Sequence, residues 1–137
     1  MMNDPKTIAE ILANTHTIAV VGFSSSTARA GYYVPAYLQG HGYRIIPVNP
    51  NITTGLGHRA YPDLHAVPEP VDLVLVFRRS EHVPDVVEQA IDIGAKAIWL
   101  QQGIVLGQAA ARARAAGLAV VQDACMMVEH RAWRRRG

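Results

Sequence analysis

The stretch Ile18-Ala19-Val20-Val21-Gly22-Phe23-Ser24-Ser25-Ser26-Thr27-Ala28-Arg29-Ala30-Gly31 decides the fold. Its first four residues are apolar and rich in β-branched side chains, as a short buried strand requires. A loop of small residues follows, with no large apolar side chain after Phe23, and a helical pattern begins near Gly31. Strand, small-residue loop and helix start together form an anion site. Small side chains let backbone N–H groups approach a phosphate, and the helix end carries about half a positive charge. Ser24, Ser25, Ser26 and Thr27 add hydroxyl donors, and Arg29 adds a permanent cation with a fork of N–H groups. The loop is therefore expected to hold a diphosphate.

The same alternation extends outward in both directions. Upstream, Asp4 is placed to cap a helix that has Pro5 at its first position and Ile8, Ile11 and Leu12 on its apolar face. Thr17 to Val21 is the first strand. Downstream, Val34, Tyr37, Leu38 and His41 recur at helical spacing, with Pro35 expected in the first turn and Gly42 as the stop. Tyr43 to Val48 reads as the second strand. Pro47 lacks an N–H and is expected to end the pairing, which leaves Val48-Asn49-Pro50 in the loop. Residues 51–70 contain Gly55, Gly57, Pro62, Pro68 and Pro70, and predict an irregular crossover with one helical turn around Asp63 to Ala66.

Val71 to Phe77 is nearly continuous and β-branched, the pattern of a buried parallel strand. Val83, Val86, Val87, Ala90 and Ile91 then mark an amphipathic helix, from Pro84 at its start to Gly94 at its end. Lys96 to Leu100 is a fourth strand, 107–116 an alanine-rich helix, Leu118 to Val121 a fifth strand and Ala124 to Trp133 a last helix. Strands alternating with helices predict an α/β fold, a five-stranded parallel sheet with helices on both faces. Ligands of such sheets sit outside the carboxyl ends of the strands, where the strand order reverses. The loops to watch are 22–31, 48–51, 77–80, 101–104 and 122–125.

A chain of 137 residues, half of them hydrophobic, is the size of one domain with a real core. A net charge of +2 argues against a nucleic-acid binder. Arg131, Arg134, Arg135 and Arg136 are read as a solvated tail. The one cysteine, Cys125, precludes an internal disulfide and fits a reducing, cytoplasmic setting. No apolar run reaches membrane-spanning length, and no signal-peptide core opens the chain. His16, His41, His58, His65, His82 and His130 show no metal-ligand spacing, so no metal site is expected. No carboxylate pair or triad announces a catalytic residue.

The usual ligand of a strand–loop–helix unit at the start of a parallel sheet is a dinucleotide. Its fingerprint is G-x-G-x-x-G with an acidic residue about 20 positions on. Here Gly22-Phe23-Ser24 puts a serine where the second glycine belongs, and Val48-Asn49-Pro50 offers no carboxylate for a ribose. Both departures disfavour an NAD site. With Arg29, Arg78 and Arg79 on neighbouring loops, a ligand with an extra phosphate near its ribose fits better. Coenzyme A and NADP both meet that description.

The blocks Val21-Gly22-Phe23-Ser24, Arg29 to Val34, Pro47-Val48-Asn49-Pro50, Val76-Phe77-Arg78-Arg79, Trp99-Leu100-Gln101-Gln102-Gly103 and Cys125 to His130 resemble the small stand-alone CoA-binding proteins. Those in turn are similar to the N-terminal CoA-binding domain of the succinyl-CoA synthetase alpha subunit. The similarity runs from about Thr15 to His130. It implies a single Rossmann-like domain with coenzyme A draped over the strand ends. By position, Gly22, Ser24, Ser25 and Arg29 would face the phosphates, and Val48, Asn49 and Pro50 would line the wall of the second strand. Phe77 and Arg78 would stand on the adenosine side, with Gln101 and Gly103 on the pantetheine side.

Arg78 is preferred to Arg79, because neighbouring side chains diverge on a regular backbone. Tyr32, Tyr33 and Tyr37 are expected to pack along a helix face. His130 beside Glu129 does not form an acid–base pair, since adjacent helical residues point apart. Cys125 lies on the ligand side of the sheet, where a mixed disulfide with coenzyme A is one expectation and a packed thiol the other. The leading expectation is a binding module for coenzyme A or an acyl-CoA, without catalysis of its own. The others are an enzyme acting on a CoA thioester or an NADP-dependent oxidoreductase using the same cleft, and a ligand-responsive regulator of a protein partner.

Overall fold

Alternating side chains along the strands divide the core into two layers, one on each face of a central sheet. A computed structural model describes residues 3–104 and 106–137. In chain order the elements are α1 (Pro5–Asn14), β1 (Thr17–Val21), α2 (Ala30–Gly40), β2 (Arg44–Val48), β3 (Thr54–Gly55), β4 (His58–Arg59), β5 (Leu73–Val76), α3 (Val83–Asp92), β6 (Ala97–Leu100), α4 (Gly107–Ala115), β7 (Ala119–Val121) and α5 (Met126–Arg135). The five-stranded sheet has the order β2-β1-β5-β6-β7, and every pairing in it is parallel. Ile18, Val20, Leu73, Leu75 and Trp99 point to the face covered by α1, α2 and α5, while Ala19, Val21, Val74, Val76 and Ile98 meet α3 and α4. This is the expected α/β architecture with helices on both faces.

The strand order fixes the place of the site. From β1 the chain crosses to β2 on one side, and from β2 it returns to β5 on the other. Counting only the five parallel strands, the order is the doubly wound 2-1-3-4-5, whose switch point lies between its first and third strands. Here that point is the gap between the carboxyl ends of β1 and β5.

Three expectations about the backbone need correction. β2 does not stop at Pro47: the proline is registered with Val20, and Val48 is paired with Val21. β2 is the edge strand, and the Pro47 carbonyl faces outward, accepting from Tyr61 N at 3.0 Å. The N–H that proline lacks would point to the same outer side, so no bond to β1 is lost. Second, α2 begins at Ala30, which puts Pro35 inside the helix and beyond its first turn. Third, the crossover is more ordered than expected, with an antiparallel β3–β4 pair closed by Leu56 and Gly57, both at positive φ. The helical turn near Asp63 is present over Leu64–Ala66, capped by the Asp63 carboxylate.

The carboxyl-terminal arginines are also not a tail. Arg131, Arg134 and Arg135 belong to α5; Arg134 Nη1 lies 3.1 Å from His41 Nδ1, and the Arg131 guanidinium stands 5.1 Å from the centre of the Tyr37 ring. His130 is buried beneath them, its Nδ1 2.8 Å from the Tyr37 hydroxyl, with Tyr43 and Trp133 against its ring. Burial, with His41 and Arg134 nearby, holds its pKa below the usual histidine value. It is a packing residue, as its spacing suggested. Among the described residues no helix is long and apolar enough to cross a membrane.

Candidate functional site

The ends of β2, β1 and β5 are tied together just below the switch point. Gly22 N donates to Val48 O at 3.0 Å, and Phe77 N donates to Val21 O at 2.8 Å. Gly22 sits at φ +86°, and a Cβ built on it would lie 2.7 Å from the Phe77 carbonyl oxygen and 3.1 Å from Arg78 Cδ. Only glycine brings these two backbones so close. A Cβ on Gly31 would likewise stand 3.0 Å from Gly22 O, so the helix start is pressed onto the strand end.

Pro35 has a part in shaping the loop. An ordinary residue there would donate its N–H to the Gly31 carbonyl, four residues back. Proline leaves that carbonyl open, and Ser24 N donates to it at 3.1 Å. Ser26 N in turn donates to Ser24 Oγ at 3.1 Å, and Arg29 N to Ser26 O at 3.1 Å. Asn49 Nδ2 donates to Phe23 O at 2.8 Å, while its Oδ1 accepts from Asn51 N at 2.8 Å. The Ser24 amide is thus committed to the loop's own scaffold, but among the described residues its hydroxyl hydrogen has no acceptor. The Asn49 side chain braces the loop from behind.

Above these strand ends opens a cleft of about 650 Å³. Of the residues expected from sequence, Gly22, Ser24, Arg29, Phe77, Arg78, Gln101 and Gly103 line it together. Asn49 and Pro50 line a smaller cavity of about 240 Å³, bordered also by Gly22 and Arg78. Val48 is buried and reaches only a recess of about 70 Å³ shared with Pro50 and Arg78. Ser25 is exposed and lines none of the three. Arg78 borders all of them and is the pivot of the site.

Sequence reasoning missed several cleft residues. Arg79 lines the same cleft as Arg78, because residues 77–79 lie outside any regular strand and adjacent side chains need not diverge. Tyr33 is 44% exposed and forms part of the cleft wall rather than packing beneath it, while Tyr32 packs on the Phe23 ring at 5.9 Å. Gln102 and Ile104 complete the far side together with Cys125, which the sequence had placed on the ligand side.

The cleft at the strand ends is basic. Arg29, Arg78 and Arg79 line it with no Asp or Glu among the lining residues, and none of the three takes part in an ion pair within the described residues. Arg44 and Arg112, by contrast, are held by Glu69 and Glu88. Three guanidinium groups left uncompensated around one concavity create a field suited to a polyanion.

The opposite wall is cross-braced by hydrogen bonds. Trp99 is fully buried and its Nε1 donates to Ala124 O at 2.8 Å. Gln101 Oε1 accepts from Met126 N at 3.2 Å, and Asp123 Oδ1 from Gly103 N at 2.8 Å. These bonds fasten the loops after β6 and β7 to each other. Among the described residues no cluster of His, Cys, Asp and Glu is arranged to hold a metal ion.

Sheet order, glycine-tight switch point and cleft together define a doubly wound, Rossmann-like α/β protein. The family model described as CoA binding domain matches residues 16–131, and the chain belongs to that family. Uncharacterized protein YneT of Bacillus subtilis is 41% identical over 131 residues, 95% of this chain and 97% of its own length. The solved structure of a hypothetical protein from Pyrococcus horikoshii OT3 superposes with a TM-score of 0.91 at 37% identity, covering 95% of this chain and 92% of that one. The ADP-forming acetate–CoA ligase II of Archaeoglobus fulgidus is 29% identical over 82 residues, 58% of this chain but 12% of the ligase. The expected membership among CoA-binding domain proteins is met, and the ligase relative is an ADP-forming acetate–CoA ligase where the sequence suggested the succinyl-CoA synthetase alpha subunit.

Proposed function

We propose that this chain is a single-domain binding module for coenzyme A or an acyl-CoA, acting in the cytoplasm and without a reaction of its own. The diphosphate sits at the loop after β1, held by the Ser24 hydroxyl and Arg29. Arg78, with Arg79 beside it, takes the 3′-phosphate on the adenosine side. The pantetheine arm runs past Gln101 and Gly103. Ser25, exposed and outside the cleft, drops out of the phosphate set. The observation that carries the reading is the set of three arginines, in no ion pair among the described residues, on a cleft at the switch point whose described lining holds no carboxylate. Family membership favours coenzyme A over NADP, which composition alone left level.

Thermal unfolding with coenzyme A, NADP and NAD in parallel tests it. A ligand present at about a hundred times its Kd adds roughly 2.7 kcal/mol to the native state. At this chain length that is a rise of about 8 °C in Tm. Coenzyme A is expected to give the largest rise and NAD the smallest. A larger rise with NADP than with coenzyme A would overturn the assignment in favour of an oxidoreductase.

A further inference from the structure

Two groups on the far wall of the cleft have no part in holding phosphates. Cys125, the one cysteine of the chain, is half-buried at the N-cap of α5 and lines the cleft. It is braced on both sides, by the Trp99 bond to Ala124 O and by its own carbonyl, which accepts from Glu129 N at 3.0 Å. The second group is the Gln101 amide. Gln101 is 6% exposed and its Oε1 is taken by Met126 N, but its Nε2 has no partner among the described residues. No fully buried side-chain nitrogen or oxygen there lacks a partner, so this Nε2 reaches the open cleft that the residue lines. A buried donor aimed into the cleft beside a thiol is a place for a ligand's polar chain ending in sulfur.

We propose that Cys125 is a thiol–disulfide exchange site that captures coenzyme A from its symmetrical disulfide and holds it as a mixed disulfide in the cleft. The inference rests on the CoA reading of that cleft. The Cys125 thiolate attacks one sulfur of CoA–S–S–CoA. That S–S bond breaks, a bond from Sγ to one CoA sulfur forms, and the other CoA leaves as a thiolate. The leaving thiolate takes up the proton that Cys125 released to solvent. One disulfide is exchanged for another, so the CoA disulfide is the only oxidant needed.

Reach supports the step. β1 and β7 are separated by β5 and β6, so their ends lie roughly 14 Å apart at about 4.8 Å per strand. The pantetheine arm has about twelve bonds between its phosphate and its sulfur, the count of about four peptide residues, and spans roughly 14 Å extended. Chemistry narrows the choice further. No His, Asp or Glu lines the cleft, so the side chains that most often activate water against a thioester are missing from its lining. Exchange with a disulfide needs only a thiolate and access.

The test is intact-mass analysis of the wild-type protein after incubation with CoA disulfide in the absence of reductant. With one cysteine in the chain, an adduct reports Cys125 directly. The expected result is a gain of one CoA less two hydrogens, reversed by dithiothreitol. It should form at least about tenfold faster than the glutathione adduct from equimolar glutathione disulfide, since binding raises the local concentration of the attacking pair. Excess desulfo-CoA should slow it. Equal rates with the two disulfides, no adduct, or acylation by acetyl-CoA in its place would each overturn the proposal. Calorimetric titration of the same protein with coenzyme A under reductant separates the two readings. Binding without an adduct sinks only the exchange step, and no binding sinks the CoA site itself.

Discussion

Replacing Gly22 by alanine should damage both the fold and the site, and its cost can be assembled from the geometry. At φ +86° an L-residue pays roughly 1–2 kcal/mol for the left-handed conformation. The new Cβ would also stand 2.7 Å from a backbone oxygen of Phe77, with no flexible side chain to yield. Either the loop or the end of β5 must shift, at a cost of about 1–3 kcal/mol by analogy with overpacked cores. The sum is about 2–5 kcal/mol, or roughly 6–15 °C in Tm at this size. Urea denaturation with an unchanged m-value would measure it. Gly40→Ala is the control, because a Cβ there meets nothing and the residue ends α2. It should be neutral or slightly stabilising. A Gly22→Ala protein within about 0.5 kcal/mol of wild type would refute the claim that β1 and β5 meet backbone to backbone at the switch point.

Other consequences are independent of that one. Arg29→Ala should weaken coenzyme A binding about tenfold or more, the worth of one charge-assisted contact, while leaving Tm nearly unchanged because Arg29 is exposed and in no ion pair among the described residues. Ser24→Asp should be worse in calorimetric titration, as it sets a negative charge against the diphosphate; wild-type affinity in both variants would place the phosphates elsewhere. Pro35→Ala should give the Gly31 carbonyl a helical donor that competes with Ser24 N, seen as faster hydrogen exchange at Ser24 and weaker ligand binding. Asp72 titrates at the opposite end of the strands. Burial alone would raise its pKa, but the Thr17 and His16 amides and the Lys96 ammonium outweigh it and hold the carboxyl below the usual aspartate value. A depressed folded pKa gives stability that is complete above the unfolded value of about 3.9 and is lost as pH falls through the folded one. Denaturation of Asp72→Asn should therefore show a weaker acid dependence than wild type.

The sheet was legible in the sequence because its signal is collective. Val20, Leu75 and Trp99 on one face and Val21, Val76 and Ile98 on the other repeat the same two-residue period, and buried parallel strands announce themselves as β-branched runs. What escaped depends on neighbours that no local pattern records. Pro47 reads as a strand breaker until β2 is known to be the edge, with the missing N–H turned outward. Pro35 inside α2 makes sense only once the Ser24 amide is seen to use the carbonyl it leaves. β3 and β4 are two residues each, too short for any alternation to show. In the cleft, Gly22, Ser24 and Arg29 followed from strand–loop–helix logic, and Arg78 from the resemblance. Arg79 and Tyr33 were misjudged because their directions are set by an irregular turn and by a helix wall facing open space.

The central claim is answered most directly by crystals of this protein grown with coenzyme A. The account predicts the pyrophosphate over Gly22 and Ser24 within hydrogen-bond reach of Arg29, the 3′-phosphate on Arg78 and the pantetheine sulfur near Cys125. Coenzyme A bound on another surface, or this cleft filled by the protein's own side chains, would contradict it.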